Sequence, residues 1–212
     1  MIAGATGLVG RELLTALLVD SRYSTVLSIG RRTLADAHPK LQQLTVDFRA
    51  IPELPHADDV FIALGTTRKV AGSEAAMRAV DVDAVIAVAR AAKAAGAKRV
   101  GVVSSMGANA RSAIFYTRIK GEMEEALIQL GFVQTVIARP SQLSGPRESL
   151  GQAHRSAERF ALQVMKWVGP LVPANYRVIS AHSVALALLE AVACDKPGAH
   201  YLLSGQMQRR NA

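Results

Sequence analysis

A chain of 212 residues, half of them hydrophobic and a fifth charged, can build one full core and lies below the roughly 250 residues at which cores divide. That composition excludes a disordered chain, and a single cysteine, Cys194, excludes an internal disulfide or a multi-cysteine zinc site. The net charge of +8 raises the question of an anionic partner, but Lys and Arg fall singly or in pairs and aromatic residues are only 5%, so the footprint of a single-strand binder is missing and no nucleic-acid partner is expected.

In chain order, a short "MIA" is followed by the glycine cluster "GATGLVG" and a run of helical period over Leu8 to Val19. Strands are predicted at "TVLSIG", "QLTVDF", "DVFIALG", "KRVGVVSS", "FVQTVIARP" and "AHYLLSG", and helices over Ser73 to Ala95, Ile114 to Leu130, His154 to Trp167 and Ala181 to Ala193. Such alternation implies an α/β fold, a doubly wound parallel sheet covered on both faces. The strands are near-continuous apolar runs, as strands buried on both faces require. One domain spans residues 1–212, with 145–178 breaking the rhythm and expected to add a small substrate-side lobe. The first strand reads as clipped, because three residues precede Gly4 where a central strand usually has about five or six.

Gly4, Gly7 and Gly10 fall at the turn from first strand to first helix, where doubly wound sheets hold a dinucleotide pyrophosphate. Gly4 is expected to allow the tight turn, Gly7 the approach of phosphate to backbone and Gly10 the packing of helix on strand. The exposed N–H groups of the helix start then face the anion. About 20 residues beyond the glycines, an NAD site places an acid against the ribose 2′-hydroxyl. Here the second strand ends in Arg31 and Arg32, cationic forks suited to a 2′-phosphate, so NADP(H) is the expected cofactor. Asp47, after the third strand, is a candidate for the adenine amine or for a turn cap.

Further on, "RVGVVSS" ends in Ser104 and Ser105, and the helix after it carries Tyr116 and Lys120, one turn apart on one face. An ammonium beside a phenol favours its ionised form, which suits a general acid or base, and a serine hydroxyl at a strand end can hold the substrate oxygen.

With these residues in place the chain resembles the atypical branch of the short-chain dehydrogenase/reductase superfamily, and within it the Tat-interacting-protein family. The likeness runs through "GATGLVG", "ALGTTRKVAGSEAAMRAVD", "VVSSMGANARSAIFYTRIKGEMEEAL" and "ARPSQLSGPRE". It implies an NAD(P)-binding Rossmann fold, with Gly4, Thr6, Gly7, Leu8 and Val9 at the pyrophosphate and Arg31 and Arg32 on the cofactor. It further implies cofactor contacts from Leu64, Gly65 and Thr66, from Lys120, and from Pro140 and Leu143 beside the nicotinamide. Ser105, Tyr116 and Lys120 take the superfamily's catalytic positions, Ser104 being the second choice of serine. Asp81 stands where many members have an asparagine, which puts a water relay through that position in doubt.

The five histidines are scattered, with no pair at ligand spacing, and no metal is expected. There is no G-x-S-x-G elbow. Glu122, Glu124 and Glu125 read as a solvated helix face. No apolar run reaches the ~18–20 residues of a membrane span, and no basic stretch leads into an apolar segment at the start. The expectation is therefore a cytoplasmic protein, monomer or homodimer, without a membrane partner. Its expected function is an NADP(H)-dependent oxidoreductase acting on a small carbonyl or hydroxyl compound, with a non-catalytic NADP(H)-sensing regulator as the alternative.

Overall fold

The computed structural model describes residues 1–144 and 173–209. Among these, the strands are β1 (Ile2–Ala3), β2 (Val26–Gly30), β3 (Leu41–Thr45), β4 (Asp59–Ile62), β5 (Arg99–Val103), β6 (Gln134–Arg139), β7 (Leu143–Ser144), β8 (Ile179–Ser180) and β9 (Gly198–Leu203). Seven of them form one parallel sheet in the order β3-β2-β1-β4-β5-β6-β9, and β7 and β8 pair separately. Strand order reverses beside β1, which pairs with β2 on one side and β4 on the other, Ile2 opposite both Ser28 and Phe61. That reversal opens a crevice at the carboxyl ends of β1 and β4, the place where doubly wound sheets bind ligands.

The helices are α1 (Leu8–Val19), α2 (Arg68–Ala71), α3 (Glu74–Arg78), α4 (Ala84–Ala94), α5 (Phe115–Gln129), α6 (Ala181–Ala193) and α7 (Ser204–Arg209). Two apolar cores flank the sheet. Ala3, Val60, Ile62, Val100 and Val102 turn towards Val85 and Val88 of α4 and Ile119 and Met123 of α5. Ile2, Phe61, Val136 and Ala138 turn the other way, towards Leu13 and Leu17 of α1 and Val184 and Leu188 of α6. Burial on both faces explains why these strands lack a polar alternation.

Four expectations need correction. The third strand runs over Leu41–Thr45, two residues earlier than "QLTVDF", because Val46 to Phe48 leave the sheet for the loop that holds Asp47. The helix expected from Ser73 to Ala95 is interrupted by a π-helical turn at Ala79–Asp83 between α3 and α4. "AHYLLSG" ends as a strand at Leu203, and Ser204 begins α7. Glu124 is 2% exposed, not solvated, because two donors described below meet it. The helix expected at His154 to Trp167 lies outside the described residues, as does most of the 145–178 lobe.

Candidate functional site

The glycine turn is shaped by three different constraints. Gly4 has φ +90°, and a Cβ there would lie 2.6 Å from the Ala63 carbonyl. Only glycine fits both that conformation and that approach. A Cβ on Gly10 would fall 2.0 Å from the Gly4 oxygen, so α1 closes directly onto the turn. Gly7 differs: its N–H donates to the Gly4 carbonyl at 3.0 Å, and a Cβ there would meet nothing closer than 3.4 Å. The room beside Gly7 is space for a ligand, as the cradle of a pyrophosphate needs.

That space continues into a cavity of about 340 Å³ lined by Gly4, Thr6 and Gly7, by Gly30, Arg31 and Arg32, by Asp47, Phe48 and Arg49, and by Leu64 and Gly65. Leu8 and Val9 are absent from its wall. Their side chains pack against the α1–α6 core, which leaves only their backbone to meet a phosphate. No ion pair engages Arg31 or Arg32 among the described residues. Asp47 takes the turn-cap role: its Oδ1 accepts the Arg49 N–H at 3.0 Å, and the Arg49 guanidinium, 2.8 Å from Oδ2, holds the carboxyl below its usual range. Arg49 is the cavity-lining cation that the sequence reading missed. Its signal was the spacing "DFR", which puts a guanidinium two residues past a turn aspartate.

Ser104 and Ser105 follow β5, and Tyr116 and Lys120 stand on α5. Ser104 is buried and its hydroxyl donates to Glu124 Oε1. Arg139 closes the same carboxylate, its Nε donating to Oε1 at 3.0 Å and its terminal nitrogen to Oε2, while its guanidinium rests 4.4 Å over the Tyr201 ring. This network uses up Ser104. Ser105 keeps only a 3.3 Å contact from its hydroxyl to the Met106 carbonyl. Gly121 lets α5 press onto the preceding loop, since a Cβ there would sit 2.1 Å from the Ala110 nitrogen.

Lys120 has a partner that the spacing could not reveal. Its Nζ lies 2.7 Å from Asp81 Oδ1, the two side chains being 4% and 1% exposed. Oδ1 receives no directed hydrogen bond, so the contact is ionic. The other oxygen, Oδ2, accepts the Thr66 N–H at 2.9 Å. Thr66 therefore has its backbone donor turned to Asp81 instead of to the first cavity. A Cβ on Gly65 would stand 3.5 Å from Asp81 Oδ1 and 3.9 Å from Lys120 Nζ, which places the ion pair directly behind the wall of the first cavity.

Tyr116 lines a second cavity, of about 420 Å³, with Thr66, Thr67, Arg68, Met77, Ile114 and Phe115. Ser105, Pro140 and Leu143 line neither cavity. Pro140 is buried and its carbonyl accepts the Met106 N–H at 2.9 Å, whereas Leu143 belongs to β7 and packs on the α1–α6 core. Among the described residues no group of His, Cys, Asp and Glu is placed to hold a metal ion, and no helix is long and apolar enough to cross a membrane.

A family model described as NAD(P)H-binding matches residues 4–195. The chain belongs to this NAD(P)H-binding family. It is similar to the mitochondrial protein fmp52 of Emericella nidulans, 36% identical over 173 residues that cover 76% of this chain and 73% of that one. In structure it resembles a short chain dehydrogenase family protein from Francisella tularensis, with a TM-score of 0.69 at 13% identity over 98% of this chain and 97% of the other. It also resembles a double mutant of the dTDP-glucose 4,6-dehydratase DesIV from Streptomyces venezuelae with NAD bound, with a TM-score of 0.70 at 17% identity over 99% and 77%. An atypical, short-chain-dehydrogenase-like NAD(P)-binding fold accounts for all of these likenesses. They correct one expectation. Relatives from several fungi are named as mitochondrial proteins, which overturns the cytoplasmic placement, because a search for apolar runs does not tell one compartment from another.

Proposed function

We propose that this NAD(P)-binding domain is an NADP(H)-dependent oxidoreductase acting on a carbonyl or hydroxyl compound, in the mitochondrial setting that its relatives' names carry. The observation behind this reading is the division of labour around the segment after β4. Ala63 to Gly65 face the glycine-turn cavity, Thr66 to Arg68 face the cavity of Tyr116, and the Asp81–Lys120 pair stands behind the junction. Arg31, Arg32 and Arg49 line the first cavity; Arg49 is held by Asp47, and Arg31 and Arg32 are the two forks left for a 2′-phosphate. Planar forks of this kind suit a phosphate dianion.

The residues fit the cofactor: Gly7 leaves a space that a side chain would fill, and the α1 amides behind it favour an anion. When bound, NADP(H) supplies or takes up a hydride at the substrate carbon. Tyr116 gives or takes the proton at the substrate oxygen, and Ser105 would have to leave the Met106 carbonyl to donate to that oxygen. Lys120, its charge balanced by Asp81, supports, from behind, the wall at Gly65 that the ribose would meet. Replacing both Arg31 and Arg32 with alanine should narrow a preference for NADPH over NADH of about tenfold or more, the value of one or two charged hydrogen bonds, as measured by titration calorimetry. Equal affinities for the two cofactors in the unaltered protein would end the NADP assignment. Tyr116→Phe should lower turnover roughly 100- to 10,000-fold and leave NADPH affinity within about threefold.

A second reading rests on one observation, that Lys120 is already engaged by a buried carboxylate. Under it the chain senses NADP(H) for a protein partner without turnover. NADPH would then alter partner affinity equally in the unaltered protein and in Tyr116→Phe.

A further inference from the structure

The second cavity differs in chemistry from the first. Its wall holds the thioether of Met77, the aliphatic Ile114 and the ring of Phe115. Ile114 is 67% exposed just ahead of α5, an aliphatic side chain left to water one residue from Phe115 and two from Tyr116. The polar side chains on the wall are mostly spoken for. The Thr67 hydroxyl caps α2 by accepting the Val70 N–H at 3.3 Å, and the Arg68 guanidinium pairs with Glu74 at 3.4 Å. Among the described lining residues the hydroxyls of Thr66 and Tyr116 have no hydrogen bond within the chain, and the 75% exposed Arg68 has its ion pair alone.

We propose that this cavity takes the body of an apolar carbonyl compound, an aliphatic or aryl aldehyde or ketone, and rejects sugar nucleotides. The assignment of the carbonyl to Tyr116 rests on the oxidoreductase reading. A sugar ring carries several hydroxyls, and each one moved from water into a wall without a partner is penalised. A carbonyl group presents one acceptor, which the Tyr116 hydroxyl meets, and the rest of an apolar compound gains by covering Ile114, Phe115 and Met77. The volume of about 420 Å³ sits near the lower end of the ~300–1,000 Å³ range of small-molecule pockets. With NADPH as the reductant, a C–H bond forms at the carbonyl carbon from the transferred hydride and the C=O π pair takes the phenol proton. The alcohol leaves, the phenol regains a proton from solvent, and the cofactor is left oxidised.

Two measurements separate this proposal from the reading on which it rests. Binding of 1-octanol, which NADPH cannot reduce, is followed by saturation-transfer NMR on the NADPH-saturated protein, with UDP-glucose as the sugar-nucleotide arm. Reduction of octanal is followed separately by NADPH absorbance. The expected result is saturable octanol binding, weakened at least fivefold by Ile114→Asp and within twofold in Ile114→Leu, with NADPH affinity unchanged in both and no saturable UDP-glucose signal. Octanol binding with that pattern but no octanal reduction would uphold the apolar subsite and defeat the oxidoreductase reading. Absence of saturable octanol binding, indifference to Ile114→Asp, or tighter binding of UDP-glucose would overturn the proposal whatever the turnover.

Discussion

Two buried carboxylates meet α5 one helical turn apart, and they are built to opposite ends. Glu124 takes a hydrogen bond from Ser104 and two from Arg139, so both of its oxygens are met by directed donors. Asp81 reaches Lys120 four residues earlier on the same helix and keeps one oxygen without a directed hydrogen bond, behind Gly65. The first network is closed and ties α5 to β5 and β6. The second is held at that oxygen by an ion pair alone, behind the wall of the first cavity. The contrast is between a carboxylate whose hydrogen bonds are all met and one whose are not.

Single removals should separate the pairs least, because each strands a charge. Asp81→Ala is expected to cost about 3–5 kcal/mol in urea unfolding, since Lys120 is left buried and unpaired, and Glu124→Leu should cost about 3 kcal/mol, lower because Arg139 retains some solvent. Paired removals sharpen the contrast. Glu124→Leu with Arg139→Leu should regain most of the lost stability and keep both NADPH binding and turnover, while Asp81→Leu with Lys120→Leu should regain stability and lose turnover. Retained turnover in the second double variant would erase the functional half of the comparison. Asp81→Asn, which keeps an acceptor for the Thr66 N–H, should cost about 1–3 kcal/mol and lower kcat/KM more than it changes NADPH affinity.

An exposed pair supplies the smallest effect and a baseline. Arg22 holds the Asp20 carboxyl below its usual range, chiefly by hydrogen bonding, yet the arginine side chain is 42% exposed. Asp20→Asn should therefore cost less than about 1 kcal/mol. Because the folded carboxyl is the more acidic, its contribution is complete above the ordinary carboxylate range and fades as pH falls through the folded value. The Asp20→Asn variant should match the unaltered protein in urea melts at the acid end.

The sheet was legible because its central strands are largely apolar and its helices carry a clear period, and the roles of Gly4 and Gly10 followed from a turn that leaves no room for a Cβ. Periodicity does not see what arrives from a distant segment. Glu124 reads as solvated between Glu122 and Glu125, and only the approach of Arg139 and Ser104 from the sheet buries it. The partner of Lys120 lies 39 residues back in sequence, and the β7–β8 pair joins two-residue strands too short to stand out. The family resemblance implies Leu8 and Val9 at the pyrophosphate turn, and with their side chains packed on the core only their backbone is left for that role.

The π-helical turn at Ala79–Asp83 adds length between two helices without changing their phase. An α-helix advances about 100° per residue, so an extra residue in a uniform helix would turn Met77 of α3 by that angle relative to α4. A π turn spends about one residue more than an α turn on a full rotation and takes up that residue locally, which leaves Met77, and then Val85, Val88, Ala89 and Ala92, buried. Asp81 and Val82 are buried within the wide turn itself. Deleting Val80 would therefore shorten the turn to a uniform helix that keeps Met77 at the wall of the Tyr116 cavity, and the change would be felt at Asp81, the carboxylate that holds Lys120.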